Sequence, residues 1–389
     1  MDNKFDFVRI PVSTVIEMDD VGWDNGADLR LYGQASRSGI PRYHAAEDYE
    51  FLNLLSERTG KNIAAALCLG DWDKDNFLRG EVGITHNPYG WDRKSVIDLE
   101  AFARYRDILE MGHVDYMVHG LLHGRYTESG KMINENEYYE QKITPDGKRE
   151  FIFSEEDFRH RLELFFKIYN SWGFKQKIRG FVVPCSLPAD EEIQRAMCRI
   201  LREFGIIYWA DNFTFTETLR VIEGVACFKW SHNAGRIPWQ AYDADPSALG
   251  NLYADDAKEN SALFGSHWTN YLRFNPKNNY KGVDMWAEYY ERQSEVFGGA
   301  LAVNLSEAVN QLFYHEFSRV SLSKNTLTLD LSRVEKEKLD CHNNEFLISF
   351  KKNALPKAIR GGEISLLEEH GEFNTYKIAH NEWKIEISL

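Results

Sequence analysis

The sequence contains no run of about 18 apolar residues, so no segment reads as a membrane-spanning helix. Its start, Met1-Asp2-Asn3-Lys4-Phe5-Asp6, lacks the cationic stretch and apolar core of a secretory signal. Cysteine is scarce. Cys68, Cys185, Cys198, Cys227 and Cys341 are odd in number and form no CxxC pair, which excludes a disulfide framework and fits small buried thiols in a reducing compartment. A cytoplasmic location is the expectation. Positive charge is short as well: 46 basic against 60 acidic side chains leave a net charge of −14. Nucleic acid and anionic membranes both need basic patches, so neither is expected as a partner. There is no Gly-rich phosphate loop, no GxGxxG fingerprint and no GxSxG nucleophile elbow, which sets aside nucleotide-dependent chemistry and the serine-hydrolase route.

What remains is an ordinary globular balance, 43% hydrophobic and 27% charged over 389 residues, enough for a barrel-sized domain and a smaller one. Aromatics reach 14%. Their first use is a large aromatic core, and their second is stacking on the apolar faces of sugar rings. Trp286, Tyr289, Tyr290 and Phe297 recur at helical spacing and read as core.

Short apolar runs alternate with helix-period stretches from residue 13 to about 318. Strands are predicted at 13–20, 62–70, 114–120, 178–184, 206–211, 225–230, 262–267 and 301–304. Helices are predicted at 47–58, closed by Gly60, at 155–172, capped by Ser154 and closed by Gly173, and at 189–204, after Pro188 and before Gly205. Such alternation implies a parallel sheet covered by helices, and seven or eight repeats imply closure into a barrel. After Val320 the pattern changes to period two, as in Phe346-Leu347-Ile348-Ser349-Phe350, with turns at Asn343-Asn344 and Gly361-Gly362. The expectation is an α/β barrel over 1–319 followed by a small antiparallel β domain of five to seven strands over 320–389, sandwich-like and serving packing or assembly. A homo-oligomer is compatible with the sequence.

In a parallel α/β barrel, functional residues gather at the C-terminal ends of the strands. Asp19 and Asp20 end the first predicted strand. His119 ends the third, with His123 one turn later. Pro184 and Cys185 end the fourth, Asp211 the fifth and His267 the seventh. Two neutral imidazoles and a carboxylate are a donor set for a divalent ion that leaves positions open for water and substrate. Asp20, His119 and His123 are the candidate ligands, of Zn²⁺ above all, with Co²⁺, Mn²⁺ or Ni²⁺ also accommodated. An ion so held brings the pKa of a coordinated water toward about 7. Asp19 is the candidate base on that water and His267 the candidate acid for the leaving group. Trp23, Pro184, Asp211 and Trp268 are candidate substrate contacts. His232 and Trp239 are candidates on the same rim. Asp71–Asp75 and His86–Trp91 are candidate cleft-lining runs. Cys341-His342 reads as a turn rather than a metal pair.

Asp19-Asp20, His119-x-x-x-His123, the strand end at Val183-Pro184 and Leu263-x-x-x-His267 resemble, in order, the motifs of the polysaccharide deacetylase family with NodB homology. The resemblance spans roughly residues 13–318. It implies a (β/α)7-type distorted barrel and a metal-dependent hydrolase that removes acetyl groups from N- or O-acetylated sugars. Asp19 is then the base, Asp20, His119 and His123 hold the ion, and His267 is the acid. The sequence departs from the pattern in three places. Gly120 stands where the family has Ser or Thr. No Arg immediately precedes the Pro pair, leaving Arg37, Arg42 and Arg125 as candidates to orient the base. About 100 residues separate Asp20 from His119. Two other functions fit the same barrel: a glycoside hydrolase pairing Asp19 or Asp20 with Asp211, which needs two carboxyls and no ion, and a non-catalytic sugar-binding barrel.

Overall fold

The computed structural model describes residues 5–23, 42–147, 149–185, 190–211, 218–230, 261–296 and 301–389. In chain order the elements are β1 (Val8–Arg9), β2 (Val15–Val21), α1 (Ala46–Thr59), β3 (Ile63–Cys68), α2 (Leu99–Leu109), β4 (Val114–Gly120), β5 (Arg125–Tyr126), β6 (Met132–Asn134), β7 (Glu140–Ile143), β8 (Arg149–Ile152), α3 (Glu155–Ser171), β9 (Gly180–Val182), α4 (Glu191–Glu203), β10 (Tyr208–Asp211), β11 (Leu219–Ile222), β12 (Val225–Lys229), β13 (Leu263–His267), α5 (Val283–Val296) and α6 (Leu305–Phe317). They continue with β14 (Arg319–Ser323), β15 (Thr326–Asp330), α7 (Ser332–Glu337), β16 (Glu345–Lys351), β17 (Ala358–Arg360), β18 (Gly362–His370), β19 (Phe373–His380) and β20 (Lys384–Ser388).

The central sheet has eight strands in the order β11-β12-β10-β9-β4-β3-β2-β13. Seven are mutually parallel, and β11 joins the β12 edge antiparallel. From β2 the parallel strands follow chain order round to β12, while β13 returns to the other side of β2. The sheet curls: the Ser261 hydroxyl, just before β13, donates to the Lys229 carbonyl at the end of β12 at 2.8 Å. The mixed α/β architecture that the alternation predicted is present, as a curled eight-stranded sheet.

The period of two explains the two faces. Ile16, Met18, Ala65, Leu67, Tyr116 and Val118 pack with the residues of α1, α2 and α3 on the convex side. Val15, Ala64, Ala66, Met117, Ala210 and Ala226 belong to a second core that takes in α6 and the C-terminal strands. The helix ends obey local chemistry. Ser154 accepts from the Asp157 N–H at the start of α3, Asp190 caps α4 and Asn304 caps α6. The predicted strand at 301–304 reduces to a single bridge between Thr14 and Leu301, because Asn304 turns the chain into α6 at once.

Strands β14 to β20 build two four-stranded antiparallel sheets, ordered β14-β15-β20-β17 and β1-β16-β19-β18. The N-terminal strand β1 completes the second of them, with Val8 opposite Phe350. The core of these sheets is continuous with α6 and the inner face of the central sheet. No described helix is long and apolar enough to cross a membrane. All five cysteines are free thiols.

Candidate metal centre and active site

Two β-irregularities at neighbouring strand ends create the site. On β2, Met18 pairs with Ala65 and Val21 with Leu67, so Asp19 and Asp20 together face one residue of β3. On β4, Val118 pairs with Leu67 and Gly120 with Cys68, so His119 is skipped. Bulges of this kind re-aim side chains. Asp20 takes a left-handed backbone (φ 64), as do His123 (φ 48) and Cys185 (φ 54). Non-glycine residues in that region cost about 1–3 kcal/mol each and gather where function over-determines them.

The outcome is a tight cluster. Asp20 Oδ1 lies 3.2 Å from His119 Nε2 and 3.5 Å from His123 Nε2, and His267 Nε2 is 4.0 Å from Asp20 Oδ2. His119 Nδ1 is 2.8 Å from the Val182 carbonyl and 3.1 Å from Asp19 Oδ1. A carbonyl only accepts, so Nδ1 carries the proton and the Nε2 lone pair points at Asp20. Asp19 Oδ1 also accepts the Asp20 N–H at 3.1 Å. His267 is paired in register with Asp19 across β13 and β2. Asp19, Asp20, His119, His123 and His267 thus converge.

Burial decides the electrostatics. Asp20 is 1% exposed and His119 fully enclosed. Burial opposes ionisation of Asp20, but His123, His119 and His267 outweigh it and hold its carboxyl down at about 2. Burial likewise opposes charging His119, yet Asp19, Asp20 and the Val182 carbonyl lift its imidazolium to about 9. Asp20 Oδ2 has no hydrogen-bond partner, and Asp20 Oδ1 is bonded by His119 Nε2 only when that nitrogen carries a proton. With a neutral ring, two lone-pair donors face each other at 3.2 Å, away from water. Each buried, unmatched polar atom costs about 1–3 kcal/mol, and more when charged. That arrangement calls for a cation, either a second proton on His119 or a divalent ion, and the donor set of one carboxylate and two imidazoles suits Zn²⁺ or a similar ion.

The surroundings explain the departures in sequence. A Cβ on Gly120 would stand 2.6 Å from Glu137 Oε1. Glu137 fills the space a hydroxyl side chain at position 120 would need, and it accepts from the Leu121 and Leu122 N–H groups at 2.8 and 3.1 Å. Burial pushes its carboxyl up, while Arg161 and those N–H groups pull it back. Tyr138 donates to the His119 carbonyl at 3.0 Å. Residues 137–138 therefore fasten the turn between the two histidines, and only the unexplained glycine signalled this in the sequence. Glu17, two residues before Asp19, is fully buried. Burial first, then the charges of Asp19 and Asp20, push its pKa well up. Gly265 on β13 makes room for it, since a Cβ there would meet the Glu17 carboxyl at 2.5 Å.

The other candidates sort by position. Trp23 is 4% exposed and lies flat on the His123 ring, centroids 4.8 Å apart and planes at 7°; it fixes that imidazole. Pro184 is buried just beyond β9, the strand whose Val182 carbonyl orients His119. Asp211 ends β10, which β9 separates from β4. Trp268 is a correction. It is fully enclosed against His44 and Tyr49 in the helix-side core and presents no face to a substrate. Arg42 is committed to Asp48 at 2.7 Å and Arg125 to Asp157 at 2.8 Å, so neither orients Asp19. Arg37, His232 and Trp239 lie outside the described residues, as does Phe297. In the two aromatic runs before β4, Trp72 and Trp91 are core, while Tyr89 is exposed. Trp72 is enclosed and donates to the Gly22 carbonyl at 3.0 Å, directly behind the Asp19-Asp20 strand end. Asp73 binds the Trp91 indole at 2.9 Å.

No protein-family model matches the chain, and no curated protein matches it. Among solved structures, it is similar to a putative polysaccharide deacetylase from Mycobacterium smegmatis, at 10% identity over 80% of this chain and 93% of that one, with a TM-score of 0.40. A CE4 family pseudoenzyme from Bacillus anthracis is similar at 11% identity over 77% and 66%, TM-score 0.38. A GH57-type branching enzyme from Pyrococcus horikoshii is similar at 12% identity over 77% and 70%, TM-score 0.41. Likenesses this loose carry no argument about the chain's activity, which rests on the geometry above.

Proposed function

We propose that the chain is a metal-dependent hydrolase on a NodB-like barrel, removing an acetyl group from an N- or O-acetylated sugar. The observation that carries it is the convergence of two imidazole nitrogens on one buried carboxylate oxygen, His119 Nε2 at 3.2 Å and His123 Nε2 at 3.5 Å from Asp20 Oδ1. The sugar and the acetyl group come from the ordered motif resemblance of Asp19-Asp20, His119-x-x-x-His123 and His267.

Asp20, His119 and His123 would hold the ion. When bound, a divalent ion supplies a water acidified toward about pH 7 and an electrophile for the scissile carbonyl. Asp19, fixed through Oδ1 by the Asp20 N–H and the His119 ring, takes the proton of the attacking water. His267, whose Nε2 is 4.0 Å from Asp20 Oδ2, gives a proton to the departing amine or alcohol. The Val182 carbonyl sets the His119 tautomer, and Trp23 sets the plane of His123. Pro184 and Asp211 end neighbouring strands of the same rim, but both are enclosed as Trp268 is, and neither offers a substrate surface.

The two-carboxylate reading is weaker on this geometry. A glycosidase pairs two carboxyls and needs no ion, whereas Asp20 is ringed by imidazole nitrogens, a donor set that suits a cation. The test is elemental analysis of unchelated protein beside His119→Ala/His123→Ala, followed by acetate release from acetylated sugars. About one ion per chain, lost in the double variant, is expected. No ion in the unaltered protein, even after adding Zn²⁺ or Co²⁺, would sink the proposal.

A further inference from the structure

Cys68 is the last residue of β3, and the bulge on β4 sets it opposite Gly120, beside the skipped His119. Its parity along β3 matches Ala64 and Ala66, yet it leaves their core: it packs instead against Trp23, the residue that covers His123. The Cys68 thiol sulfur, a carboxylate oxygen of Asp20 and a ring nitrogen of His119 all lie within 4.8 Å of one another, all three residues enclosed. Asp20 Oδ2 is buried without a hydrogen-bond partner, and with a neutral His119 ring so are Asp20 Oδ1 and His119 Nε2. A buried thiol used only as a small apolar side chain has no reason to stand against unmatched donors of a metal set.

We infer that Cys68 Sγ is a fourth donor to the ion held by Asp20, His119 and His123. This rests on the metal reading above and deepens it. Binding releases the thiol proton to solvent and forms a sulfur–metal bond in its place, with no change of oxidation state. Burial, and then the negative charge of Asp20, push the free thiol's pKa well up, so without the ion Cys68 is neutral. A carboxylate, two imidazoles and one thiolate favour Zn²⁺ and Co²⁺ over Mn²⁺ and Mg²⁺, because a soft donor selects against the harder ions. With four protein donors, a water would have to join as a fifth ligand or displace the thiolate, so Cys68 would set how readily the site opens.

The experiment is titration of metal-free full-length protein with Co²⁺, followed by absorption, beside Cys68→Ser. A thiolate-to-cobalt charge-transfer band that saturates at one Co²⁺ per chain is expected. Cys68→Ser should still take up Co²⁺, seen in its visible d–d bands, with the charge-transfer band gone. Uptake without that band in the unaltered protein, or a band that survives Cys68→Ser, overturns the inference and leaves the three-donor site standing. No uptake at all overturns both. Should Cys68→Ser not fold, X-ray absorption of the zinc-loaded unaltered protein decides. A Zn–S distance of about 2.3 Å supports the fourth donor, and a shell of N and O alone at about 2.0–2.1 Å removes it.

Discussion

The Glu137 carboxylate occupies the volume that a side chain on Gly120 would fill, 2.6 Å from the Cβ position, while it accepts the N–H groups of Leu121 and Leu122. The two residues are one device. Gly120→Ser should cost about 1–3 kcal/mol through overpacking. Glu137→Ala should cost about 1–3 kcal/mol for each N–H left without an acceptor. The double variant should cost clearly less than the sum, because the serine then has both room and N–H groups to bond. Urea denaturation of the four proteins measures this. Additive losses would show that the residues act independently.

Asp19 and His267 flank Asp20 without being placed to share its role. Asp19→Asn and His267→Ala should each keep the bound ion and lower deacetylation by on the order of 10²-fold or more, the scale of general acid–base catalysis. Metal content and turnover are measured on the same preparations. An Asp19→Asn protein that loses its ion would make Asp19 a structural support of His119, and one with near-normal turnover would take it out of the mechanism.

The strands bearing the site were legible because their apolar runs end in polar residues: β4 is found where its run lies, and β2 and β13 within two residues. The inner face was harder to read. Gly265 carries no apolar signal, although its missing side chain is what lets Glu17 of the neighbouring strand approach. The bulges at Asp19-Asp20 and at His119 are invisible to a period-two reading, since they are breaks in that period. So was Glu137, whose position depends on a chain reversal after His123, and so was α2, whose exposed Leu99 blurs its apolar stripe. Trp268 was misplaced because a strand-end tryptophan beside a catalytic candidate looks like a sugar platform, whereas the 3₁₀ turn after His267 folds it back under α1. Part of the reading of Cys341-His342 held: the His342 N–H closes a turn on the Leu339 carbonyl.

His342 does more than make that turn. It is buried, stacks on Tyr208 of β10 and lies edge-on to Phe313 of α6, with Nε2 3.4 Å from the Tyr208 hydroxyl. Burial first, then Lys338 and Arg179, push its pKa from the ordinary 6.5 to about 4. The folded state therefore keeps the ring neutral where the unfolded chain binds a proton. The stability it contributes is present above about 6.5 and is lost as pH falls toward 4, up to about 3 kcal/mol in all. Denaturation midpoints of the unaltered protein should drop through that window, and those of His342→Phe should drop less. Parallel pH profiles for the two proteins would remove His342 as the cause.

The C-terminal strands share a core with the sheet that carries the site. Leu312, Phe313 and Phe317 of α6 and Val8 and Ile10 near the N-terminus are buried in one cluster with Leu327, Leu329, Phe346, Ile348 and Ile385. Strand β1 has its partner in β16, far along the chain. Removing residues 319–389 takes that partner away and bares five large side chains, each worth about 1.5–3 kcal/mol of burial. Their sum is comparable to the whole stability of a typical domain. A chain ending at Ser318 should accordingly be insoluble or unfolded by circular dichroism, and removing residues 1–12 as well, which takes away the apolar strand left unpaired, should not restore a cooperative melt. A soluble, cooperatively melting 1–318 chain that still binds one ion would show that the curled sheet and its helices stand alone, with the C-terminal sheets serving assembly instead.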